Sequence, residues 1–215
     1  MGVPRECNDD DRPPVEPILA VGIKRHTFRE LSAIQLECYF TFKPEASNLQ
    51  LGEMDVRAAG VLFDIQDGGG DDAKRWMPHL RYLNALEGER IARWQTKPET
   101  RAFAEIGNSG KTVSHYHLGP ESWVDVPTEP QLLCYNEIAT KMNWHYLRVG
   151  LDLRERAFTG FQCNDQIYGP EQLTCIEMPA MAIWCMLNVA FWCEADTDRR
   201  AFLYLDSVVL SADAA

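Results

Sequence analysis

A chain of 215 residues, 46% of them hydrophobic, can bury a full core as one large domain without staples. Its formal charge of −11 repels phosphate backbones and anionic lipid, which excludes nucleic acid and membrane surfaces as expected partners. No apolar run reaches the roughly 18 residues of a membrane span, the first residues lack the apolar stretch of a signal peptide, and seven cysteines without a CxxC pair read as reduced core thiols, so a cytoplasmic location is expected.

Residues 1–17 are acidic and proline-rich and read as a flexible lead-in, which leaves 18–215 as a single domain. Ser32 to Phe42 alternates: Ile34, Leu36, Cys38, Phe40 and Phe42 face one way, Gln35, Glu37, Tyr39 and Thr41 the other. The first set is expected to face the core. A second strand is best defined over Ala59 to Ile65, and Asp67 to Asp72 forms a glycine-rich turn. Trp76 to Leu86 alternates again, with Trp76, Leu80, Tyr82 and Leu86 on one face and Arg75, Met77, His79, Arg81 and Leu83 on the other. Gly88 turns the chain into Arg90 to Thr96. Gln95 to Pro130 is irregular and reads as a long excursion over one rim, interrupted by a strand near Thr112 to Leu118.

Trp144 to Tyr168 is a meander of two alternating segments, with turns at Arg154-Glu155-Arg156 and Asn164-Asp165. Its first strand turns His145, Leu147, Val149, Leu151 and Leu153 to the core and Trp144, Tyr146, Arg148 and Asp152 away from it. Pro170 to Leu187 is apolar but irregular. Ala201 to Leu210 supplies a final strand rich in aliphatic and aromatic residues. No segment holds a 3.6-residue period with caps. Short strands between turn clusters predict an all-β fold, an antiparallel jelly-roll sandwich.

Six stretches carry a resemblance: Ile34 to Phe42, Leu51 to Arg57, Trp76 to Tyr82, Cys134 to Ile138, the Trp144 meander, and Asp198 to Asp206. Together they resemble a bacterial family of uncharacterised concanavalin-like, laminin-G-like sandwiches over most of residues 20–211. The resemblance implies that fold and a loose association with sugar metabolism. It implies no catalytic residues. Such proteins usually begin with a longer region that adds a strand, and here a short acidic lead-in stands in its place. An open sheet edge is therefore expected, through which a homodimer or a partner subunit could join.

Glu37, Tyr39, His79, Arg81, Trp144, Tyr146 and Arg148 all alternate away from the core, and a curved sheet would gather them in one groove. Sugars call for this mixture, because aromatic rings stack on pyranose C–H surfaces while charged planar groups fork onto hydroxyls. The expected function is binding, with or without conversion, of a carbohydrate or glycosylated small molecule on the concave sheet. Tyr39, Trp144 and Tyr146 would stack, and Arg81, Arg148 and Glu37 would hydrogen-bond. The alternative is a cofactor-independent lyase, isomerase or cyclase of a natural-product or sugar pathway, with His79 as acid or base beside Arg81, Tyr82 and Glu37. A non-catalytic subunit of a partner enzyme is the third class.

His115-Tyr-His117 with Glu121 partly resembles the first metal motif of cupins. The spacing is off, the second motif is absent, and solvent-facing histidines are the default. No resident metal or cofactor is expected. Glu53, Asp55 and Arg57 read as a surface charge patch, Glu137 is a further carboxylate beside Tyr135, and the Trp184 to Trp192 run reads as buried packing or an apolar pocket. No GxSxG, Walker or Rossmann pattern occurs.

Overall fold

A computed structural model describes residues 19–28, 30–44, 53–67, 73–99, 122–133, 142–179, 185–196 and 200–212. Twelve strands run in chain order through them: β1 (Leu19–Thr27), β2 (Ala33–Pro44), β3 (Val56–Gln66), β4 (Lys74–Leu86), β5 (Glu89–Thr96), β6 (Val124–Asp125), β7 (His145–Asp152), β8 (Ala157–Cys163), β9 (Gln166–Tyr168), β10 (Cys175–Pro179), β11 (Met186–Ala195) and β12 (Ala201–Ala212). No α-helix occurs among the described residues, and no helix is long and apolar enough to cross a membrane.

The strands form two antiparallel sheets packed as a jelly-roll sandwich. The larger runs β1-β11-β3-β4-β5-β6, with β10 also pairing with β4; the smaller runs β12-β2-β7-β8-β9. β5 takes the Leu80–Leu86 half of β4 and β10 takes Lys74–Pro78. Local chemistry sets the turns. Glu87 and Gly88 both adopt positive φ (54° and 81°), the backbone of a tight two-residue hairpin, which glycine accepts at little cost. Asp152 Oδ1 accepts the backbone N–H groups of Arg154 and Glu155 at the β7–β8 turn. Asn164 (φ 53°) turns β8 into β9.

Alternation assigns the core correctly except at Leu86, which follows the bulge between Leu83 and Ala85 and is exposed, and at Thr41, which is buried on the outward side of its strand. Leu36, Cys38, Phe40 and Phe42 of β2 and Leu147, Val149 and Leu151 of β7 meet Val61, Phe63 and Ile65 of β3 and Trp76, Leu80 and Tyr82 of β4 between the sheets. Each large side chain so buried contributes about 1.5–3 kcal/mol. One buried amide ties the sheets together: Gln131 Oε1 accepts from Trp94 Nε1 (2.7 Å) and Tyr168 Oη (3.0 Å), and its Nε2 donates to the Cys163 carbonyl (2.9 Å). Cys38, Cys163, Cys175, Cys185 and Cys193 are free thiols, and burial pushes those of Cys38 and Cys163 up to about 12. The irregular reading of Pro170 to Leu187 is corrected in part. Cys175–Pro179 is a strand, and β11 lies inside the larger sheet between β1 and β3. Nothing among the described residues pairs with the outer side of β12, where a bulge between Asp206 and Val209, with Ser207 at φ 50°, interrupts the ladder and opposes edge pairing. The strand expected near Thr112 to Leu118 and the lead-in of residues 1–17 lie outside the described residues.

Candidate functional site

The residues expected to share one groove divide between two surfaces. β4 belongs to the larger sheet, so His79 and Arg81 lie on its outer face. β2 and β7 are neighbours in the smaller sheet, so Glu37, Tyr39, Tyr146 and Arg148 lie on the opposite outer face, with the core between. Tyr82 belongs to neither set. Its ring is in the core and its hydroxyl donates to the Gln131 carbonyl (2.9 Å), which takes it away from His79.

The outer face of the larger sheet carries buried charge among aromatic rings. Arg81 of β4 donates through Nε to Gln95 Oε1 of β5 (2.8 Å) and pairs with Glu194 of β11 (3.4 Å). Glu194 Oε1 also accepts the Trp192 indole N–H (2.8 Å), and Gln95 Nε2 donates to Asp125 of β6 (2.7 Å). Trp123 lies above them: the Arg81 guanidinium carbon is 4.0 Å from its ring centre and the Lys97 ammonium 5.1 Å. Such cation–π contacts strengthen as water is excluded, and Arg81, Lys97, Trp192 and Glu194 are all buried. Burial pulls the Arg81 guanidinium down to about 10, so it stays charged at neutral pH.

His79 completes the cluster. It is fully buried, with its ring 6.0 Å from Trp123 and 6.4 Å from Trp192, both edge-on. Its Nδ1 sits 2.8 Å from the Met77 carbonyl. A carbonyl only accepts, so Nδ1 carries the proton of the neutral ring and Nε2 holds the lone pair. Burial pulls the imidazole down to about 4, which keeps it uncharged at pH 7. Further along the face, Arg75 forks onto Asp64 (2.7 and 3.0 Å), which also accepts from Asn188 (3.3 Å).

Gly60 makes the arrangement fit. It sits between Arg81 and Trp192 in register, and a Cβ there would lie 2.6 Å from two carbons of the Trp192 ring. Its missing side chain lets the indole lie across β3. Trp123, Glu194, Gln95 and Lys97 were not singled out from the sequence, and Trp192 was read only as the end of a run of buried packing or an apolar pocket, in which it is indeed buried. A period-2 reading of Leu187 to Ala195 would have separated Asn188, Ala190, Trp192 and Glu194 from the core-facing Leu187, Val189 and Cys193. Trp123 follows an irregular segment and carries no such signal.

The outer face of the smaller sheet is open. Tyr39 pairs in register with Tyr146, ring centres 5.6 Å apart and tilted by 55°, and Glu37 pairs with Arg148. Tyr39 is 45% exposed, and Trp144, the residue before β7, is 42% exposed. The Tyr146 hydroxyl donates to Glu37 Oε1. That bond lowers the Glu37 carboxyl from its ordinary value, and burial with the Glu37 contact raises the phenol to about 12.

Of the remaining candidates, Arg57 pairs with Asp196 (2.7 Å) rather than within the 53–57 patch. His115, His117, Glu121 and Glu137 lie outside the described residues. Among the described residues no three His, Cys, Asp or Glu side chains are grouped to hold a metal ion.

The chain belongs to a family described as a domain of unknown function, DUF6772, which it matches over residues 11–214. No curated protein matches it. Among solved structures it is similar to a tetrameric galectin from the ball sponge Cinachyrella sp., at 12% identity and a TM-score of 0.39 over 89% of this chain and 99% of that one. It is also similar to the potassium-bound carbohydrate recognition domain of Emp46p (12% identity, TM-score 0.36, 92% of this chain and 79% of that one). A third is the β-fructofuranosidase of Schwanniomyces occidentalis complexed with fructosyl-erythritol (12% identity, TM-score 0.37, 94% of this chain), of which the match spans 34%.

Proposed function

We propose that the protein binds a carbohydrate or glycosylated small molecule on the outer face of its larger sheet. The observation that carries this reading is the grouping of Trp123 and Trp192 with the Arg81–Glu194–Gln95 network on the outer face of the larger sheet, in a small buried cluster with Leu62 and Ala190 apart from the core between the sheets. A buried ion pair contributes little net stability to a fold, while the same groups beside aromatic rings supply what a sugar needs: apolar faces for its C–H surfaces and fixed donors and acceptors for its hydroxyls. Trp123 heads the two-residue strand β6, held to the sheet by the pairs Gln95–Asp125 and Thr96–Val124. In this reading a ligand enters by displacing the Trp123 ring from the Arg81 guanidinium. Trp123→Ala and Arg81→Met are expected to weaken saccharide binding at least tenfold in calorimetry while the far-ultraviolet spectrum stays that of the sandwich. Undiminished affinity in both would overturn the reading.

The state of His79 favours a second reading, the cofactor-independent lyase or isomerase. A neutral imidazole, fixed through Nδ1 on the same strand face as Arg81, presents its lone pair at Nε2, and burial, which lowers its pKa to about 4, makes it a weak base for proton abstraction. His79→Gln should then keep saccharide binding and lose conversion of the bound sugar; conversion at the wild-type rate in that variant would exclude it.

A further inference from the structure

The outer face of the smaller sheet lies on the far side of the core from the Trp123 cluster, and its chemistry is independent of it. We propose that this face is a second binding site, for an extended neutral oligosaccharide, formed by Tyr39, Tyr146, Glu37 and Arg148. Four observations carry it. First, the two tyrosines pair in register on adjacent strands and form one aromatic surface, with Tyr39 exposed. Aromatic residues exposed side by side leave apolar area in water, and a ligand with apolar faces removes it. Second, the residues two positions along both strands are Glu37 and Arg148, again directly opposite. The backbone positions of the two pairs therefore lie about 7 Å apart along the strands and about 4.8 Å apart across them, a spacing that places donors and acceptors beside a stacked sugar ring.

Third, the polar groups are held in place. The Tyr146 hydroxyl donates to Glu37 Oε1 and the Gln35 side chain also hydrogen-bonds the carboxylate, which fixes it while its remaining lone pairs can accept from a ligand hydroxyl. The Tyr146 backbone N–H in turn donates to the Asn164 side chain (3.0 Å), which fixes the start of β7 against the β8–β9 turn. Fourth, the charges do not favour an anion. Glu37 faces Arg148, Asp206 of β12 stands opposite Tyr39, and the whole chain carries −11. Neither the patch nor the field around it favours an anion, whereas a polyol needs one acceptor and one donor close together. The exposed rings continue beyond this row: Trp144 precedes β7, and Phe202 and Tyr204 of β12 stack at 6.2 Å. The surface is long enough for a chain of sugars rather than one ring.

A protein carrying sites on both outer faces could hold two saccharide chains, or two stretches of one, at once. The probes are cellohexaose, xylohexaose and mannohexaose, each titrated into the full-length, 15N-labelled protein. At least one is expected to give saturable amide shifts at Tyr39, Tyr146 and Arg148. In the Tyr39→Ala/Tyr146→Ala protein the apparent affinity at these strands should fall at least tenfold; Trp123→Ala should leave it within twofold. Tyr39→Phe should retain the binding, since the ring is kept. Absence of saturable shifts on β2 and β7 with all three sugars would overturn the proposal. So would shifts that persist in the double variant, shifts that vanish in Trp123→Ala, or amide broadening at this face that depends on protein concentration alone and so reports a second copy of the chain. Failure of the Trp123 site would leave the β2 and β7 shifts intact, which keeps the two readings separable.

Discussion

The two outer faces of the sandwich use similar residues under different conditions. On the larger sheet, Arg81, Glu194, His79 and Lys97 are buried beneath or beside Trp123 and Trp192. On the smaller sheet, Glu37, Tyr146 and Arg148 lie partly in solvent, with Tyr39 and Trp144 exposed. An ion pair in water is screened and contributes about 0–1 kcal/mol. A buried one is held by partners whose loss strands a charge. The first face is therefore desolvated, and its titrations are coupled to folding. The second is solvated and nearly neutral for stability. The difference teaches that residue type alone does not define a site: desolvation turns an ordinary arginine and glutamate into a preorganised pair.

The largest effect should separate the faces directly. Glu194→Ala strands the Arg81 guanidinium and the Trp192 indole N–H, and is expected to cost about 3–5 kcal/mol in urea unfolding. Glu37→Ala on the other face should cost less than about 1 kcal/mol. Equal losses would erase the contrast.

The next effect is pH dependence. The folded pKa of His79, about 4, lies below the 6.5 of a free imidazole. Between these values the unfolded chain binds a proton that the folded chain refuses, so stability is full above pH 6.5, falls with acidification, and stops falling below about 4. The total is about 3 kcal/mol. His79→Gln should flatten the melting-temperature profile across that window; an unchanged slope would mean that the ring is already charged in the native state.

Gly60→Ala comes third. The new methyl would meet the Trp192 ring at 2.6 Å and the Leu80 carbonyl oxygen at 2.7 Å, an overpacking expected to cost about 1–3 kcal/mol and to shift the Trp192 indole resonance. Last, Tyr146→Phe removes the donor to Glu37. Stability should change by less than about 1 kcal/mol, while the Glu37 carboxyl, held low chiefly by that bond, should rise toward its ordinary value in a carbon-detected titration.

Alternation read from the sequence placed Leu36, Cys38 and Phe40 inside and Glu37 and Tyr39 outside, because side chains of a half-buried strand have a period of two. It could not say that β4 pairs with β3 and β5 while β2 pairs with β7 and β12. Sheet membership depends on contacts far apart in sequence, so one expected groove became two faces. β11 was hidden for a different reason. Buried on both faces, it reads as a continuous apolar run, and its polar members, Asn188 and Glu194, look like interruptions rather than one side of a strand. Trp123 had no periodic neighbours, and its role comes only from the geometry above Arg81.

The central claim is that the Trp123–Trp192 face is where a saccharide binds. The most direct measurement is an indole N–H spectrum of the 15N-labelled protein, recorded as a neutral oligosaccharide is added. The account predicts that the Trp123 and Trp192 signals move together and saturate while those of Trp76 and Trp94, sealed in the core, stay fixed. In the Tyr39→Ala/Tyr146→Ala protein, whose other outer face is disabled, saturable saccharide binding that leaves both Trp123 and Trp192 unmoved would contradict it.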